Sequence, residues 1–491
     1  MSKQTAYVWH KDNLQQATAG RWHQPPVDIR ATRIITDTRQ IVVGDVFLAI
    51  RGERFDAHDF VATAKQNGAV AAIVEREVEC DIPQLVVADS RLALGHLGKF
   101  RRDQHTDLTV VALTGSSGKT TTKEMLGSIL GQIAPTLITR GNLNNDLGVP
   151  MMLLELTDEH RFLVVELGAN HVGEIAYTAG LVRPDVAMVL NIGTAHLGEF
   201  GGRENIAKAK AEIYSALTEQ GVAVLPFADE FYEELSAAAK QFTQRTISFG
   251  ERSVPLKTAN LAKADYEMLS LQGVETVQMM GDVFADEVEA LTTHSCFDLV
   301  LNPDIDTLQS LPVQLPFIGE HNVANAQAAA AAAVALGIDL PTIVQGLTNA
   351  TPPKGRLTRV AFGNHSLLDD TYNANPTSML TAASVLEAEQ GIKILVMGDI
   401  FELGDASVDE HTKLGEKIAT LAIDHVLTVG THMAHTAQAI NRHKMIAKHY
   451  ADKPSLLIDL QNLLKTGQAT VLFKGSRGMA MESLIADLTA C

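Results

Sequence analysis

A glycine-rich segment that ends in lysine and threonine, Leu113-Thr-Gly-Ser-Ser-Gly-Lys-Thr-Thr121, has the residue types of a phosphate-binding loop. It follows an apolar run and opens a predicted helix, so backbone N–H groups at Gly115 and Gly118 can turn towards phosphate oxygens. Lys119 would reach the terminal phosphates, and Thr120 would offer its hydroxyl to Mg²⁺. The general pattern has glycine at the first position of this segment, so the loop is a variant. ATP or GTP binding is favoured over a plain turn with a surface lysine.

Two groups with metal-binding chemistry occur at the ends of predicted strands. Glu166 ends the apolar run Phe162–Leu167, and His196 follows the run Val186–Ile192. Taken singly, such a glutamate is usually solvated, and such a histidine is more often a hydrogen-bonded loop residue. Ligands of open α/β sheets bind beyond the carboxyl ends of strands, and Mg²⁺ takes oxygen ligands. Beside a phosphate loop, Glu166 is therefore predicted to bind Mg²⁺, and His196 is the weaker candidate on chemistry alone.

Two lysines, Lys208 and Lys210, lie on the predicted helix Asn205–Leu217. Because they are two residues apart, they face different sides of the helix. The ordinary interpretation of a lysine on a helix is a solvent-exposed charge, and the spacing alone suggests no other role.

Four polar segments fall at predicted strand ends or helix starts: Gly141–Asp146, His321–Asn325, Asp369–Pro376 and Lys474–Gly478. Asparagine and aspartate are common in turns because their side chains bond the local backbone, so each segment alone is readily structural. Since all four occupy such positions, together they favour a composite site between domains.

Three regions of the chain position these groups. Residues 1–104 hold short β-rich runs, Ile41–Val43 among them, and the polar stretch Arg101–Asp107 after them is predicted to be a linker. Residues 105–350 alternate apolar runs with helical stretches, which is typical of a parallel sheet covered on both faces. Residues 351–491 repeat that α/β pattern.

The middle region departs from this pattern at two places. Shorter, alternating runs over residues 253–315 predict an added antiparallel section. Alanines dominate Ala324–Leu336, which predicts a strong helix, and Pro352–Gly355 then predicts a second linker.

Composition narrows the class of protein. Of the 491 residues, 46% are hydrophobic and 20% charged, as in ordinary globular proteins. The formal net charge of −18 argues against non-specific binding to nucleic acid or to an anionic membrane. Cys80, Cys296 and Cys491 match no disulfide or metal spacing. The longest apolar run, Ala328–Ile338, is too short to span a bilayer, and the first residues lack the apolar core of a signal peptide. We expect a soluble, cytoplasmic protein.

Five segments together resemble the Mur ligase family over nearly the whole chain: Thr114–Thr121, Gly141–Asp146, Glu166–His171, Gly319–Asn325 and Asp369–Pro376. The resemblance implies an α/β fold of three domains. They are a small N-terminal α/β substrate domain, a central parallel-sheet P-loop ATPase domain and a C-terminal Rossmann-like α/β domain.

Two further segments, Asp370–Pro376 and Met397–Gly404, resemble the branch of the family that takes a dipeptide. The resemblance implies a monomeric, ATP-dependent ligase that joins D-alanyl-D-alanine to UDP-N-acetylmuramoyl tripeptide. The reaction would pass through an acyl phosphate and give the UDP-muramoyl pentapeptide precursor of peptidoglycan.

The resemblance also implies residue roles. Two Mg²⁺ ions would be held by Thr120, Glu166, His196 and Lys210, the last as its carbamate, and Lys119, His196 and Lys210 would serve catalysis. Carbamylation turns a lysine, which cannot bind Mg²⁺, into an anionic oxygen ligand. Asn322 and Asn325 would contact the adenine of ATP, Asp370 the ribose and Arg356 a phosphate. The phosphates would also lie on the loop formed by Gly115, Ser116, Ser117, Gly118, Lys119, Thr120 and Thr121.

The implied substrate residues form two sets. The uridine end would meet Thr38, Arg39, Phe55, Asp56 and His58, in segments where the family usually has serine at position 38 and glycine at position 57. The peptide and dipeptide would meet Asn142, Asn144, Asn145, His171, Tyr372, Asn373, Asn375, Glu402, Lys474, Ser476 and Arg477.

Other functions share parts of this pattern. A sibling ligase that adds a single amino acid, or folylpolyglutamate synthetase, differs in the amine acceptor, and the motifs of residues 351–491 favour the dipeptide. An NTP-driven switch would leave Glu166, His196 and Lys210 unexplained. A small-molecule kinase would make a phosphorylated product that persists, whereas a ligase releases phosphate only with the amine present.

Overall fold

The structure is a computed structural model that describes residues 6–490 apart from residues 27, 53–54, 195–196, 257–267, 270–273 and 303–307. In the part described, three mixed sheets follow one another along the chain, and a two-stranded ribbon accompanies the second. This confirms the α/β fold of three domains. The boundaries predicted after residues 104 and 350 fall between the sheets and stay a prediction. None of the described helices is both long and apolar enough to cross a membrane.

The first sheet is built from five short strands. They are β1 (Arg21–His23), β2 (Ile34–Ile35), β3 (Val46–Leu48), β4 (Ala71–Val74) and β5 (Gln84–Val86), and the helices of this region are α1 (Lys11–Thr18), α2 (Val61–Gln66) and α3 (Ser90–Asp103). The strand order is β1-β5-β4-β3-β2, with β1 antiparallel and the other strands parallel. Trp9, Leu14 and Leu85 lie in its core.

The strand predicted at Ile41–Val43 is wrong. Val43 is 86% exposed and leads into a turn, where Gly44 adopts a φ of 101°. The Asp45 carboxylate accepts the Val42 N–H at 2.8 Å, so local side-chain bonding prevails over the β preference of the valines.

The linker predicted at Arg101–Asp107 is also partly wrong, because α3 continues to Asp103. Arg101 is fully buried, with its guanidinium 4.7 Å from the centre of the Tyr7 ring. It donates to the Leu156 carbonyl at 2.9 Å. The polar segment predicted to be a linker therefore contains a buried contact between the first region and the second, from Arg101 to Leu156.

The second sheet has nine strands, and a ribbon of two more lies beside it. The sheet strands are β6 (Thr109–Thr114), β7 (Thr136–Ile138), β8 (Phe162–Glu166), β9 (Val186–Val189), β10 (Val222–Pro226), β11 (Arg245–Phe249), β14 (Val283–Ala290), β15 (Ser295–Leu301) and β16 (Gln309–Leu315), and the ribbon is β12 (Glu251–Pro255) with β13 (Thr276–Met280). The order is β16-β15-β14-β11-β10-β9-β6-β8-β7. Strands β6 to β11 are parallel, whereas β14, β15 and β16 run antiparallel to one another, which confirms the antiparallel section.

Helices cover both faces of this sheet. They are α4 (Lys119–Gly131), α5 (Gly148–Leu154), α6 (Glu174–Val182), α7 (Leu197–Phe200), α8 (Arg203–Ala211), α9 (Tyr232–Ala239), α10 (Glu320–Ala335) and α11 (Leu340–Asn349). The alanine-rich helix α10 packs on one face through Ala328–Ala333, which are almost fully buried, beside Leu126 of α4. Small side chains let the helix lie close to the sheet.

The third sheet has six strands. They are β17 (Thr358–Phe362), β18 (His365–Asp370), β19 (Ile392–Gly398), β20 (His425–Val429), β21 (Ala447–Tyr450) and β22 (Ala469–Lys474), and the helices are α12 (Pro376–Glu387), α13 (Ser407–Ile418), α14 (Met433–Asn441), α15 (Lys453–Leu464) and α16 (Glu482–Thr489). The order is β17-β18-β22-β19-β20-β21, with only β17 antiparallel among its described strands.

Strand order brings the polar segments together. In the second sheet β6 lies between β8 and β9, so the loop after β6 begins where the connections diverge to either side. Glu166 pairs with Leu113, the residue two before that loop. In the third sheet Lys474 pairs with Asp370 on one side and with Met397 on the other.

Candidate active site

The loop of residues 115–118 has a shape that the neighbouring strand end supports. Ser116 donates its N–H to the Asn191 carbonyl at 3.1 Å, and Ser117 donates to the Asn191 side chain at 3.0 Å. Gly118 precedes α4 with a φ of 80°, and a Cβ there would overlap the side-chain oxygen of Asn325. Only glycine fits this position, so the backbone can present N–H groups at the helix N-terminus.

Lys119 lies on the first turn of α4, over this loop. Its Nζ donates to the Gly115 carbonyl at 2.7 Å, which folds the side chain back towards the loop. Burial lowers the pKa of Lys119, the Glu166 carboxylate raises it, and Arg356 lowers it. The ammonium therefore lies where an anionic ligand would stabilise it.

Glu166 is buried and bonded on both oxygens. One oxygen accepts the Thr120 hydroxyl at 3.2 Å, and the other accepts the Asn144 amide at 2.8 Å. Its backbone N–H donates to the Thr139 hydroxyl at 2.9 Å. Thr139 is in turn held by Lys123, a buried lysine that donates to its carbonyl at 2.7 Å. Lys123 was not among the predicted residues, because a lysine on a helix gives no signal by itself.

Helix α8 separates the two lysines as the spacing predicted. Lys208 is exposed, whereas Lys210 is 3% exposed and lines the cleft that also contains Lys119 and Glu166. Burial holds the pKa of Lys210 well below that of free lysine, and Lys119 lowers it further while Glu166 opposes the shift. Losing the proton is therefore easier for Lys210 than for a lysine in water.

The cleft around Lys210 offers few groups that could hold a metal ion. In the described portion of the chain, no three His, Cys, Asp or Glu side chains gather as a metal-holding group. Beside the phosphate loop the cleft offers the Glu166 carboxylate, the Thr120 hydroxyl and the side chain of Lys210, and Glu174 and Glu402 line it as well. His196 lies outside the described residues.

A second cleft adjoins the loop between the middle and C-terminal regions. Asn325 donates to the Asn322 side chain at 3.0 Å, and Asn322 donates to the Ile318 carbonyl at 2.8 Å. His321 also lines this cleft, and burial lowers its pKa to about 4, so the imidazole is neutral. Sequence reasoning gave His321 no role, although its position beside Asn322 was a usable signal.

Two hydrogen bonds join the C-terminal region to the phosphate loop. Arg356 donates to the Thr120 hydroxyl at 3.2 Å, and its guanidinium lies 4.3 Å from the centre of the Tyr372 ring. Asn375 donates to the Ser116 carbonyl at 3.5 Å. The phosphate loop is thus covered by the C-terminal region.

Asp370 and Lys474, at the ends of β18 and β22, line the adjoining cleft, whereas residues 372–375, which follow β18, line the first cleft. Lys474 donates to Asp370 at 2.6 Å and to the Asn373 carbonyl at 3.0 Å. Glu402 lines the first cleft from the loop after β19. Burial lowers the pKa of Lys474, whereas the bonded Asp370 carboxylate raises it.

Most predicted residues meet here. The first cleft is lined by the predicted residues Ser116, Ser117, Gly118, Lys119, Thr120, Asn142, Asn144, Asn145, Glu166, Lys210, Arg356, Tyr372, Asn373, Asn375 and Glu402. The adjoining cleft is lined by Ser117, Gly118, Thr121, Asn322, Asn325, Arg356, Asp370 and Lys474.

Three predicted peptide contacts do not line these clefts. His171 is exposed and bonds Glu174 at 2.9 Å. Ser476 is buried and accepts the Phe401 N–H, and Arg477 is exposed and bonds Glu482 at 2.8 Å. In this structure each of the three residues is bonded to a neighbouring residue instead of facing a cleft.

The predicted uridine set lies in the N-terminal region, away from both clefts. His58 is buried, with Nδ1 2.5 Å from Asp56 and Nε2 accepting the Glu75 N–H at 2.7 Å. Asp56 and His58 therefore hold their own turn. Phe55 is 64% exposed and open to a ligand.

The other half of that set is a short 3₁₀ helix that contains Thr38 and Arg39. Asp37 accepts from the Arg39 side chain, which together with the Arg39 N–H lowers the pKa of Asp37 to about 2. The Thr38 carbonyl accepts the Asn67 amide at 2.8 Å.

The chain matches three family descriptions in succession. They are "Mur ligase family, catalytic domain" over residues 30–101, "Mur ligase middle domain" over 113–333 and "Mur ligase, glutamate ligase domain" over 355–477. The UDP-N-acetylmuramoyl-tripeptide–D-alanyl-D-alanine ligase of Escherichia coli (strain K12) is 42% identical over 94% of both chains.

Solved structures of Mur ligases resemble this chain over nearly its whole length. A crystal structure of MurF from Acinetobacter baumannii is 51% identical, has a TM-score of 0.88 and covers 99% of this chain and 100% of its own. The MurF ligase of Thermotoga maritima, solved in complex with ADP, is 28% identical with a TM-score of 0.76, covering 93% of this chain and 97% of its own. With matched domains along its length and full-length relatives at this identity, the chain belongs to the Mur ligase family.

Proposed function

We propose that this chain is an ATP-dependent ligase that joins D-alanyl-D-alanine to UDP-N-acetylmuramoyl tripeptide. One observation carries the proposal: a single cleft has the phosphate loop and Glu166 on one wall and Asn373 and Glu402 on the other. A relative that bears this activity in its name is 42% identical over 94% of the chain. The product is the UDP-muramoyl pentapeptide precursor of peptidoglycan.

The chemistry requires an activated carboxylate. A carboxylate is a poor electrophile, so a carboxylate oxygen of the tripeptide attacks the terminal phosphorus of ATP, and ADP leaves. Lys119, the loop N–H groups and the N-terminus of α4 stabilise the charge on the transferring group. The amine of the dipeptide then attacks the acyl carbon, and phosphate leaves with formation of the amide.

The donor set fits Mg²⁺, which takes oxygen ligands. Thr120 and Glu166 would hold one ion, and Glu166 with Lys210 and His196 a second. Mg²⁺ bound there neutralises phosphate charge. The neutral amine of Lys210 adds to CO₂ and loses a proton, which gives a carbamate whose oxygens are anionic ligands. The lowered pKa of Lys210 supports this assignment, because only the unprotonated amine reacts.

The nucleotide would occupy the adjoining cleft. Asn322 and Asn325 would meet the adenine, Asp370 the ribose and Arg356 a phosphate. These assignments rest on the cleft that the residues line together and on its continuity with the phosphate loop. In the N-terminal region, Phe55 and Arg39, whose side chains are exposed, would meet the uridine end.

The reaction also needs water kept out, since an acyl phosphate hydrolyses. The C-terminal region covers the loop through Arg356 and Asn375, so closure of this region over the middle one would both complete the site and exclude water.

The close contact between Gly198 and Gly404 offers a way to test this closure by mutation. A Cβ on Gly198 would lie 2.7 Å from the Gly404 nitrogen and 2.8 Å from the Leu403 carbonyl carbon, both backbone atoms. We expect Gly198→Ala to lower kcat/KM for phosphate release about 10- to 100-fold by displacing the C-terminal region. Gly180→Ala, on α6 with open space around it, is the matched control and should change little. Equal activity of both variants would show that closure does not use this contact.

The function is tested by phosphate release with ATP, Mg²⁺ and UDP-muramoyl tripeptide, with and without D-alanyl-D-alanine. We expect release only when both substrates are present. Release with neither substrate would indicate an NTP-driven switch. Release only with a single amino acid and a shorter nucleotide peptide would indicate a sibling ligase, and either result would contradict the proposal.

A further inference from the structure

Glu402 enters the substrate cleft from a loop, residues 399–406, that connects β19 to α13. Glu402 adopts a φ of 65°, a left-handed conformation that a residue with a side chain rarely takes. Such a conformation persists only where the surrounding structure holds it. The groups that hold the backbone of this loop therefore help to position Glu402.

Two of these groups hold the first residues of the loop. The Asp399 carboxylate accepts the N–H groups of residues 431–433 at 2.7, 3.0 and 2.8 Å, which ties the loop to the N-terminus of α14. The Ser476 hydroxyl accepts the Phe401 N–H at 2.8 Å. Between these two anchors lies Ile400, two residues before Glu402.

His411 supplies the anchor at Ile400. This histidine is fully buried on α13, and its Nε2 accepts the Ile400 N–H at 3.2 Å. Its Nδ1 lies 2.7 Å from the Ser407 carbonyl. A carbonyl can only accept and a backbone N–H can only donate, so Nδ1 must carry the proton and Nε2 must be bare. The contact exists only with a neutral imidazole in one tautomer.

The groups that face His411 come from its own helix, from the loop and from α14. Burial lowers the pKa of His411, the Ser407 carbonyl and Asp399 raise it, and His432 and His435 lower it. The His432 ring centre lies 5.5 Å away. Protonation as the pH falls would put a hydrogen on Nε2 against the Ile400 N–H, and this anchor would be lost.

We propose that His411 is a positioning residue that, by accepting the Ile400 N–H, presents Glu402 to the dipeptide substrate. This rests on the proposed ligase function. His411 is not among the residues that line the cleft, so its effect should appear in the binding of the dipeptide, through Glu402, rather than in the binding of ATP at the phosphate loop.

The test compares His411→Leu with His411→Gln. Leucine removes the acceptor, and we expect the KM for D-alanyl-D-alanine to rise about tenfold, with the KM for ATP unchanged within about twofold, because one buried hydrogen bond is lost. Glutamine has an oxygen that can reach the place of Nε2, and it should restore most of the lost affinity. Because burial lowers the pKa of His411, the wild-type KM should rise relative to that of His411→Gln, which cannot titrate there, only at pH values below the usual histidine range.

Thr436→Val is the matched control for packing between α13 and α14. Thr436 donates to the His411 carbonyl at 2.8 Å but does not contact the 399–406 loop through its hydroxyl. We expect no selective change in the KM for the dipeptide. A rise equal to that of His411→Leu, or an equal rise in the KM for ATP, would overturn the proposal and leave His411 a structural residue.

Hydrogen exchange separates this proposal from the function itself. In His411→Leu, the Ile400 and Phe401 amides should exchange faster, while those of residues 431–433, held by Asp399, should not. Unchanged exchange at Ile400 would overturn the positioning role. If the wild type proved inactive with this substrate pair, the proposed ligase function would be wrong. Hydrogen exchange at Ile400 and Phe401 would still show whether His411 holds the loop.

Discussion

Lys210→Ala is expected to lower kcat at least about 100-fold, because it removes the group proposed to become an anionic metal ligand. Folding should survive, since the change replaces a buried amine that is costly to desolvate with a small apolar side chain. The thermal midpoint should therefore not fall in step with activity. Steady-state phosphate release with both substrates measures the loss, and a short carboxylate such as formate should restore part of the activity.

Lys208→Ala is the matched control, two residues away on the same helix and exposed to solvent. It should keep activity within about twofold, as surface substitutions usually do. If the two variants exchanged their effects, the assignment of Lys210 would be wrong. Mass spectrometry under CO₂ should find the added carboxylate on Lys210 in the wild type, and its absence at every CO₂ concentration would contradict the carbamate.

Glu166→Gln is expected to raise the Mg²⁺ concentration needed for half-maximal activity about 10- to 100-fold and to lower kcat as well. Glutamine keeps the size of the side chain and an oxygen that can accept the Asn144 amide. The negative charge is removed, and an NH₂ group takes the place of the oxygen that accepts the Thr120 hydroxyl. Because Glu166 raises the pKa values of Lys119 and Lys210, its loss should also make both amines easier to deprotonate.

A magnesium titration of phosphate release measures this prediction. Glu234→Gln, an exposed position on α9, makes the same chemical change away from the cleft and should leave the titration unchanged. A Glu166→Gln variant with the wild-type Mg²⁺ requirement would contradict the assignment of Glu166 as a ligand, whatever its kcat.

The local pattern of the sequence predicted the parts of the site that depend on one strand and its loop. The phosphate loop after β6, Glu166 at the end of β8 and the alanine-rich helix α10 all follow from apolar runs and the residues that end them. These features are encoded within about 20 neighbouring residues, which is the range over which periodicity is informative.

What the pattern could not predict depends on strand order and on burial. Lys474 and Asp370 lie 104 residues apart and meet because β22 inserts beside β18. Helical spacing placed Lys208 and Lys210 on different faces, but only the packing of α8 shows which one is buried. Arg101 was expected in a linker because the sequence alone does not distinguish a buried arginine from an exposed one. Its burial depends on the Leu156 carbonyl, 55 residues away.

The most direct test of the ligase assignment is a competition for the acceptor. The protein is incubated with ATP, Mg²⁺ and UDP-muramoyl tripeptide in the presence of equal concentrations of D-alanyl-D-alanine, D-alanine and a diamino acid, and the nucleotide product is weighed by mass spectrometry. We predict one product, heavier than the tripeptide substrate by the dipeptide less one water. A product that carries a single amino acid, or no new nucleotide peptide while ATP is consumed, would contradict the assignment.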